Sequence, residues 1–322
     1  MANSQYLSSC SAHAIQKAAE QLKTGHLVAF PTETVYGLGA DATNGEAIKR
    51  IYEVKGRPSN HPLIVHVSSI NSLEIWARDI PDFAVELARA FWPGPMTLVL
   101  KRSESASDFI TGGQDSVGIR VPSDPIALEL LTRFEALGGL GVAAPSANRF
   151  GQVSPTSAQD VQFELGDYLS DGDSILDGGQ SEVGIESTII DCSSVTPVIL
   201  RPGAITVAMV NSVAQVALAD PDALQIRVSG NLEKHYAPIA KVIINQTPTS
   251  GQAFIALSNI QTPDGVYRIS APLNVHQFAR EIYAGMRKAD ALGFNELIVE
   301  VPEGPGIEVA LFDRLKKAAN GR

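Results

Sequence analysis

The sequence has very little cysteine, no long apolar run and no excess of positive charge. Its two cysteines, Cys10 and Cys192, lie far apart and outside any C-x-x-C pattern, so neither a zinc site nor a disulfide framework is indicated. The longest apolar runs, such as PLIVHV, are far shorter than the roughly 18 residues that a transmembrane helix needs. The N-terminus also lacks the basic and then apolar pattern of a signal peptide. We therefore expect a cytoplasmic protein that does not enter a membrane.

The charge balance argues against wholesale binding of nucleic acid. The formal net charge is −10, whereas binding to a phosphate backbone needs a clustered excess of Lys and Arg. A few local cations would still suffice for a small anionic ligand. Neither the P-loop pattern G-x-x-x-x-G-K-[ST] nor the nucleophile motif G-x-S-x-G occurs, so neither a P-loop nor a covalent serine mechanism is expected.

The alternation of helical and apolar segments predicts an α/β fold. A helix with Ser11 as its N-cap and Gly25 as its stop comes first. The short apolar runs HLVAF, PLIVHV, MTLVL and GVAAP then alternate with amphipathic segments. This order is typical of a sheet covered by helices. The segment FPTETVYGLGADA follows the first strand, and we interpret its Gly-Leu-Gly as a turn in which Gly37 and Gly39 let the backbone approach a ligand.

The length of 322 residues exceeds what one hydrophobic core usually organises, so we expect two domains. From about Asp220 to Pro238 the sequence has no clear period, which is typical of a linker. Four further apolar strands and two amphipathic helices follow it. The predicted organisation is a first α/β domain at 8–208, a linker or lid at 209–238, and a smaller α/β domain at 239–322.

Polar loops that combine hydroxyl groups with an isolated cation stand near the strand ends. In open α/β sheets such loops converge on a crevice where ligands bind. Arg57 belongs to a loop because Pro58 ends the preceding helix, and its planar fork suits a phosphate or a carboxylate. Arg120 lies in an alternating strand pattern, so it either pairs with a carboxylate or meets an anionic ligand. Lys55 alone is equally well explained by the helix dipole.

Three further polar residues have two open interpretations. His66 ends the apolar run PLIVH and fits either a satisfied core histidine or a site residue. Ser146 in APSAN and Ser187 in ESTIID lie beside strand ends, where serine serves more often as a turn or cap than as a ligand contact. Several such segments in one chain favour a polar pocket.

Seven segments in this order resemble the YrdC-like domain of L-threonylcarbamoyladenylate synthase. The segments are FPTETVYGLGADA, KGRPSNHPLIVHV, FWPGPMTLVL, VGIRVP, AAPSANRFGQVSPT, GIESTIID and LRPGAI. The likeness covers roughly residues 10–208, and KHYAP and VALFDRLKKAA resemble the two-domain branch of the family. The resemblance implies a YrdC-like twisted open sheet with flanking helices, followed by a smaller Rossmann-like α/β domain.

The resemblance also implies an activity. The family is a nucleotidyltransferase that condenses L-threonine, bicarbonate and ATP into threonylcarbamoyl-AMP and pyrophosphate, with Mg²⁺ expected on the triphosphate. A separate threonylcarbamoyl transferase complex then modifies the adenosine beside the anticodon of tRNA, so tRNA is only an indirect partner. The resemblance predicts no metal site made by the protein itself. It leaves the oligomeric state open, and a monomer is the working expectation.

The resemblance carries site residues over by motif position. It implies catalytic roles for Lys55 and Arg57. The L-threonine contacts that it implies are Thr34, His66, Arg120, Ala144 and Ser187. The ATP contacts that it implies are Arg57, His61, Ser116, Ser146, Ser154, Arg201 and Tyr236. Arg120 is the natural partner of the amino acid carboxylate, and His61 stands where the family often has Asn.

Two alternatives stay open at this point. One is a carbamoyl-adenylate-forming relative that uses carbamoyl phosphate, although such enzymes carry a zinc-finger region for which this chain has no cysteine pattern. The other is an RNA-binding module without catalysis, which the acidic balance disfavours. Binding to a nucleic-acid backbone would weaken steeply with salt, so a salt series separates that alternative from an enzyme of small substrates.

Overall fold

The computed structural model describes residues 7–214, 226–228, 230 and 235–321. We call residues 7–214 the N-terminal part and residues 235–321 the C-terminal part. Much of the predicted linker, namely 215–225, 229 and 231–234, lies outside the described residues. None of the helices in the described ranges combines the length and the apolar character that crossing a membrane requires.

The N-terminal part is built around one large mixed sheet. Its strands are β1 (Leu7–Ser9), β2 (Val28–Phe30), β3 (Gly37–Asp41), β4 (Ile64–His66), β5 (Met96–Lys101), β6 (Ser116–Arg120), β7 (Val142–Ala143), β8 (Ser174–Asp177), β9 (Thr188–Asp191) and β10 (Val198–Arg201). Their order across the sheet is β1-β8-β2-β3-β7-β4-β6-β5-β9-β10. Parallel pairs such as β4 with β6 occur together with antiparallel pairs such as β5 with β6. The sheet therefore brings segments that are distant in sequence side by side.

Helices cover this sheet as the apolar periodicity predicts. They are α1 (Ala12–Lys23), α2 (Gly45–Lys55), α3 (Leu73–Trp76), α4 (Asp82–Phe91), α5 (Asp108–Thr111), α6 (Pro125–Ala136), α7 (Ala158–Leu165) and α8 (Val207–Ala214). The Ser11 side chain caps α1 by accepting from the Ala14 amide. Gly56 ends α2 in the left-handed region, with φ of 62°, a conformation that glycine adopts without strain. The loop that contains Arg57 therefore begins directly after a defined helix end.

The C-terminal part is a smaller parallel α/β unit. Its strands are β11 (Lys241–Ile244), β12 (Ala253–Ile255), β13 (Tyr267–Ser270) and β14 (Glu296–Val299), in the order β11-β14-β12-β13. The pairs β11 with β14, β12 with β14 and β12 with β13 are all parallel. Two amphipathic helices, α9 (Val275–Ala291) and α10 (Glu308–Ala319), accompany them. The expected fold class, a large α/β sheet followed by a smaller Rossmann-like unit, is confirmed.

The interpretation of Gly-Leu-Gly as a turn is wrong. Residues Gly37–Asp41 form β3, which pairs antiparallel with β2. A Cβ on Gly39 would lie 2.7 Å from a methyl carbon of Val142 and 2.8 Å from the ring of Phe30. Gly39 is therefore needed because side chains pack directly against its backbone.

The two parts of the chain are in close contact. A Cβ on Gly184 would lie 2.4 Å from the Cα of Arg280 in α9, so a loop of the N-terminal part lies against a helix of the C-terminal part. Val35 and Ile185 belong to the same buried apolar cluster as Phe278 of α9. The helix α8 crosses the predicted boundary at residue 208, and Val210 packs into the core of the N-terminal part. The domain boundaries themselves stay a prediction.

Candidate active site

One cleft brings together most of the predicted site residues. Its empty volume is about 530 Å³, which includes solvent at its mouth. The predicted residues that line it are Thr34, Arg57, His66, Arg120, Ala144, Ser146, Ser187, Arg201 and Tyr236. They come from loops and strand ends that span about two thirds of the chain. The predicted convergence of the polar loops is therefore seen in the structure.

His66 and Arg120 lie side by side in the cleft, because they are register partners on the parallel strands β4 and β6. Nη2 of Arg120 lies 2.8 Å from Oε1 of Glu33, and the other Glu33 oxygen accepts from the Ser123 amide at 3.1 Å. Among the described residues, Nε of Arg120 has no hydrogen-bond partner. Arg120 thus pairs with a carboxylate, which is one of the two alternatives left open by the sequence, and it also lines the cleft and keeps a buried donor.

His66 is a neutral imidazole in this structure. The side chain is almost fully buried, and its Nδ1 lies 3.2 Å from the carbonyl oxygen of Ile64. Burial, followed by the positive charge of Arg120, lowers the pKa of His66 to about 3. The ring therefore adds no charge to the cleft near neutral pH, and it offers a hydrogen-bonding group beside Arg120.

Buried hydroxyl groups stand beside these residues with fixed orientations. Oγ1 of Thr32 lies 2.8 Å from Oγ1 of Thr34 and donates to the Val35 carbonyl at 2.6 Å. Because the Thr32 hydroxyl has a single hydrogen, Thr34 is the donor in their pair and keeps its lone pairs as acceptors. Ser187 is held in a similar way, 2.8 Å from the hydroxyl of Thr97. The sequence motifs did not single out Thr32 or Thr97, since each acts through its neighbour.

Arg201 and Arg57 form a second group of cations in the same cleft. Arg201 donates to the Ser187 carbonyl from Nε at 3.1 Å and from Nη2 at 2.9 Å, and Nη2 also reaches the Ser187 hydroxyl at 3.0 Å. Arg57 donates from Nη2 to the Pro62 carbonyl at 3.0 Å. Burial, with a contribution from the charge of Arg201, lowers the pKa of Arg57 to about 10. Two buried guanidinium groups that repel each other favour an anionic ligand between them.

Lys55 is buried beneath the cleft and does not line it. Its Nζ donates to the carbonyl of Ser146 at 2.6 Å and to the carbonyl of Asn148. Burial, followed by the nearby charge of Arg57, lowers its pKa well below the usual lysine value. Nζ of Lys55 fixes the APSAN loop through these two hydrogen bonds, and the loop in turn presents Ser146 to the cleft.

Three other predicted contacts also lie outside the cleft lining. His61 packs edge-on against Phe150, with ring centroids 5.4 Å apart. Ser116 lines an adjoining hollow that shares Ile64 with the cleft. Ser154 is fully buried and donates to Oε1 of Glu186 at 2.5 Å. The structure therefore places Ser116 beside the cleft and Ser154 behind its wall.

Glu186 lines the cleft and was not singled out from the sequence. Its side chain is held by the hydroxyls of Ser154 and Tyr283 and by Nε of Arg314, at 2.5, 3.0 and 2.8 Å. Burial alone would raise the pKa of Glu186, but the charges of Arg314 and Arg201 lower it to about 2. The Glu186 carboxylate is ionised, and the neighbouring arginines balance its charge. Its signal in the sequence is a carboxylate directly after the apolar Ile185 in the segment GIESTIID.

Within the described ranges, no group of three or more His, Cys, Asp and Glu side chains is placed to hold a metal ion. Cys10 and Cys192 are free thiols. The cleft is lined by hydroxyls, imidazoles and guanidinium groups together with the Glu186 carboxylate. Taken with the fold, these features define a mixed α/β protein with a cleft lined by hydroxyls and cations.

Comparison with known proteins identifies the family. The protein-family model described as "Telomere recombination" matches residues 20–203. A second family model, described as "Threonylcarbamoyl-AMP synthase, C-terminal domain", matches residues 205–320. The chain is similar to the threonylcarbamoyl-AMP synthase of Pyrococcus abyssi, with 38% identity over 96% of this chain and 94% of the relative. That of Bacillus subtilis is 36% identical over 96% and 93%. The chain belongs to the threonylcarbamoyl-AMP synthase family in its two-domain form.

A solved structure agrees with this assignment. The crystal structure of P. abyssi Sua5 complexed with L-threonine aligns with a TM-score of 0.88 and 36% identity, over 98% of both chains. The two-domain architecture of that relative is thus present here nearly from end to end. The family resemblance and the fold predicted from the seven segments are confirmed.

Proposed function

We propose that this chain condenses L-threonine, bicarbonate and ATP into threonylcarbamoyl-AMP and pyrophosphate. The observation that carries the proposal is the cleft itself, whose lining combines Arg120 and buried hydroxyls with the two further guanidinium groups of Arg57 and Arg201. Such a cleft can hold an amino acid next to a triphosphate. The relatives that share almost the whole chain are named for this reaction, and the solved relative carries L-threonine.

The threonine half of the proposed site is the part around Arg120. Its guanidinium, oriented by Glu33, binds the amino acid carboxylate through charge-assisted hydrogen bonds. The hydroxyls of Thr34 and Ser187 and the neutral ring of His66 provide polar groups for the amine and the side-chain hydroxyl. Ala144 contributes a small wall that leaves room for the ligand.

The nucleotide half is the part around Arg57 and Arg201. These two cations neutralise the phosphates, with the polar groups of Ser146 and Tyr236 beside them. Ser116, in the adjoining hollow, and His61 would contact parts of ATP that extend beyond the cleft. Lys55 supports catalysis through the loop that it holds, and Ser154 does so through Glu186. Mg²⁺ is expected as part of the substrate, bound to the triphosphate.

The reaction requires positioning rather than a covalent nucleophile. The amine of threonine and bicarbonate form a carbamate and release water. A carbamate oxygen then attacks the α-phosphorus of ATP, the bond to the bridging oxygen breaks, and pyrophosphate leaves. Holding the carbamate and the triphosphate in one buried cleft supplies the orientation, and the guanidinium groups stabilise the charge on the departing pyrophosphate.

The product implies a place in tRNA modification. Threonylcarbamoyl-AMP is an activated mixed anhydride, so a separate transferase must receive the threonylcarbamoyl group and deliver it to the tRNA adenosine beside the anticodon. This role places the enzyme in the cytoplasm. It does not require the chain to bind tRNA itself, and a monomer contains every residue that the proposal uses.

The test is pyrophosphate release with all three substrates and with each omitted in turn. We expect release that depends on both threonine and bicarbonate. Undiminished release without threonine and with bicarbonate depleted would reject the assignment. Release supported by carbamoyl phosphate in place of threonine and bicarbonate would favour the carbamoyl-adenylate-forming alternative. RNA binding that weakens steeply with salt, in the absence of pyrophosphate release, would favour the RNA-binding alternative.

A further inference from the structure

A carboxylate in the wall of a cleft for ATP needs an explanation. Glu186 lines the cleft one residue before Ser187, whose carbonyl and hydroxyl hold Arg201. A negative charge there would repel a triphosphate and would attract the neighbouring guanidinium away from it. The structure resolves this conflict with a cation from the other part of the chain.

That cation is Arg314, which lies on α10 and is fully buried. Its Nε donates to Oε2 of Glu186 at 2.8 Å, and its Nη2 donates to the Pro202 carbonyl at 2.9 Å. Pro202 directly follows Arg201, so one guanidinium contacts both the carboxylate and the backbone next to the nucleotide-binding arginine. Tyr283 of α9 adds a second bond to Glu186, at 3.0 Å.

Arg314 also supports the aromatic side of the cleft. Its guanidinium carbon lies 5.5 Å from the centroid of the Tyr236 ring, and the same ring stacks on Tyr283 at 5.8 Å. On the next turn of α10, Lys317 donates to the Gly230 carbonyl at 2.8 Å, and a Cβ on Gly230 would lie 2.3 Å from the Tyr236 hydroxyl. One face of α10 thus holds three separate pieces of the cleft wall.

Packing alone does not account for an arginine at this position. Its buried neighbours on α10 are Ala310, Leu311, Leu315 and Ala318, an apolar stripe in which a leucine or methionine would fit. Buried ion pairs are often no more stabilising than apolar residues of similar volume. Nη1 of Arg314 also pairs with Asp313 of the same helix. The contacts of Nε and Nη2 with Glu186 and Pro202 are better explained by what they do for the cleft.

We propose that Arg314 is a positioning residue for the nucleotide: it neutralises Glu186 and fixes the backbone at Arg201 and the ring of Tyr236. The C-terminal part of the chain thereby completes the nucleotide half of a cleft that lies mainly in the N-terminal part. This inference rests on the proposed function. It gives the C-terminal part a role in ATP binding.

The test compares ATP affinity among full-length variants by calorimetric titration. Arg314→Gln keeps a hydrogen-bond donor but removes the charge, and we expect ATP binding to weaken about tenfold or more. Arg314→Lys keeps the charge and should weaken binding by less, about threefold. The double variant Arg314→Gln with Glu186→Gln removes both charges and should return ATP affinity to within about threefold of the wild type. Lys316→Ala, exposed on the same helix, is the matched control.

The order of these ATP affinities separates a role of the Arg314 charge from a purely structural role. A purely structural role predicts that Arg314→Lys and Arg314→Gln weaken ATP binding equally. Equal loss in both, or a double variant as weak as Arg314→Gln, would overturn the proposal. If Arg314→Gln does not melt cooperatively, the double variant is compared with the wild type instead. ATP binding about tenfold weaker in the double variant than in the wild type would then overturn the proposal. A wild type that binds ATP but releases no pyrophosphate would contradict only the proposed reaction, since the affinity comparison does not depend on turnover.

Discussion

Nη2 of Arg120 lies 2.8 Å from Oε1 of Glu33, and each of the two side chains is 5% exposed. Glu33 belongs to the segment PTET, whereas Arg120 ends a strand 87 positions later. The pair therefore links the hydroxyl-rich loop to the central sheet. It also balances the charge of a buried guanidinium, whose Nε has no hydrogen-bond partner among the described residues.

The first prediction concerns threonine binding. Arg120→Lys keeps a charge for Glu33 but loses the planar fork, so threonine affinity should fall by about 2 kcal/mol, as expected for a charged hydrogen bond. ATP affinity should remain nearly unchanged. Calorimetric titration of each ligand measures both. A variant with equal losses for threonine and ATP would indicate that Arg120 supports the whole cleft and does not hold the amino acid.

The second prediction concerns the other cation group. Arg57→Ala should weaken ATP binding by about 2 kcal/mol or more, because one of two buried guanidinium groups that face the phosphates is lost. Threonine affinity should change little. Arg89→Ala, exposed on α4, provides the matched loss of one charge. Intact ATP affinity in Arg57→Ala would remove this residue from the nucleotide site.

Local sequence patterns predicted the elements well and the glycine segment poorly. The stripe of Ile15, Ala18 and Leu22 and the cap at Ser11 act within a few residues of each other, so sequence alone could identify α1. The role of Gly39 depends on Phe30 and on Val142, which lies about a hundred residues further along the chain. No local pattern contains that contact, and a glycine pair was therefore taken for a turn.

The candidate site shows the same limit. Residues that a motif presents directly, such as Arg120 and Ser187, line the cleft, whereas Lys55 belongs to an equally specific motif and yet bonds to backbone carbonyls behind it. Glu186 and Arg314 meet across 128 positions, so neither could be assigned without the structure. The available signal was an arginine placed within the apolar stripe of an amphipathic helix.

The third prediction concerns substrate choice. The hydroxyls of Thr34 and Ser187 and the neutral His66 form a polar surface that a substrate hydroxyl would satisfy. Serine should therefore turn over weakly, and valine should be rejected strongly because it leaves buried polar groups unpaired. Pyrophosphate release with each amino acid measures this. Equal turnover of threonine and valine would argue against a polar pocket.

The fourth prediction concerns acid stability. The pKa of Glu186 falls from the ordinary 4.5 to about 2 on folding, so its ionisation stabilises the fold fully above pH 4.5 and progressively less as the pH falls towards 2. The contribution is on the order of 3 kcal/mol. Glu186→Gln should therefore lower the free energy of unfolding at pH 7. The gap between variant and wild type in this free energy should narrow near pH 3. Urea unfolding at both pH values measures the gap.

The control for this prediction is Glu182→Gln, four residues earlier and exposed. Its gap to the wild type should be small at both pH values, since an exposed carboxylate has similar surroundings in the folded and unfolded chain. A gap for Glu186→Gln that stays constant from pH 7 to pH 3 would mean that the carboxylate contributes through shape and hydrogen bonding only.

The last prediction concerns the hydroxyl of Tyr236. The side chain is almost fully buried, its ring stacks on Tyr283, and its hydroxyl has no hydrogen-bond partner among the residues that the structure describes. A buried hydroxyl without a partner is costly, and this one belongs to a residue that lines the cleft. ATP is therefore its expected partner, and Tyr236→Phe should weaken ATP binding by about 1 kcal/mol without lowering the melting temperature of the ligand-free protein.

Tyr236→Ala separates this role from packing. It removes the ring that lies between Arg314 and Tyr283, so it should lower the melting temperature as large-to-small changes in a core do, and it should impair ATP binding more than the phenylalanine variant. Differential scanning calorimetry and ATP titration measure the two effects. If Tyr236→Phe binds ATP as tightly as the wild type, the hydroxyl has no nucleotide contact, and Tyr236 serves the cleft through its ring alone.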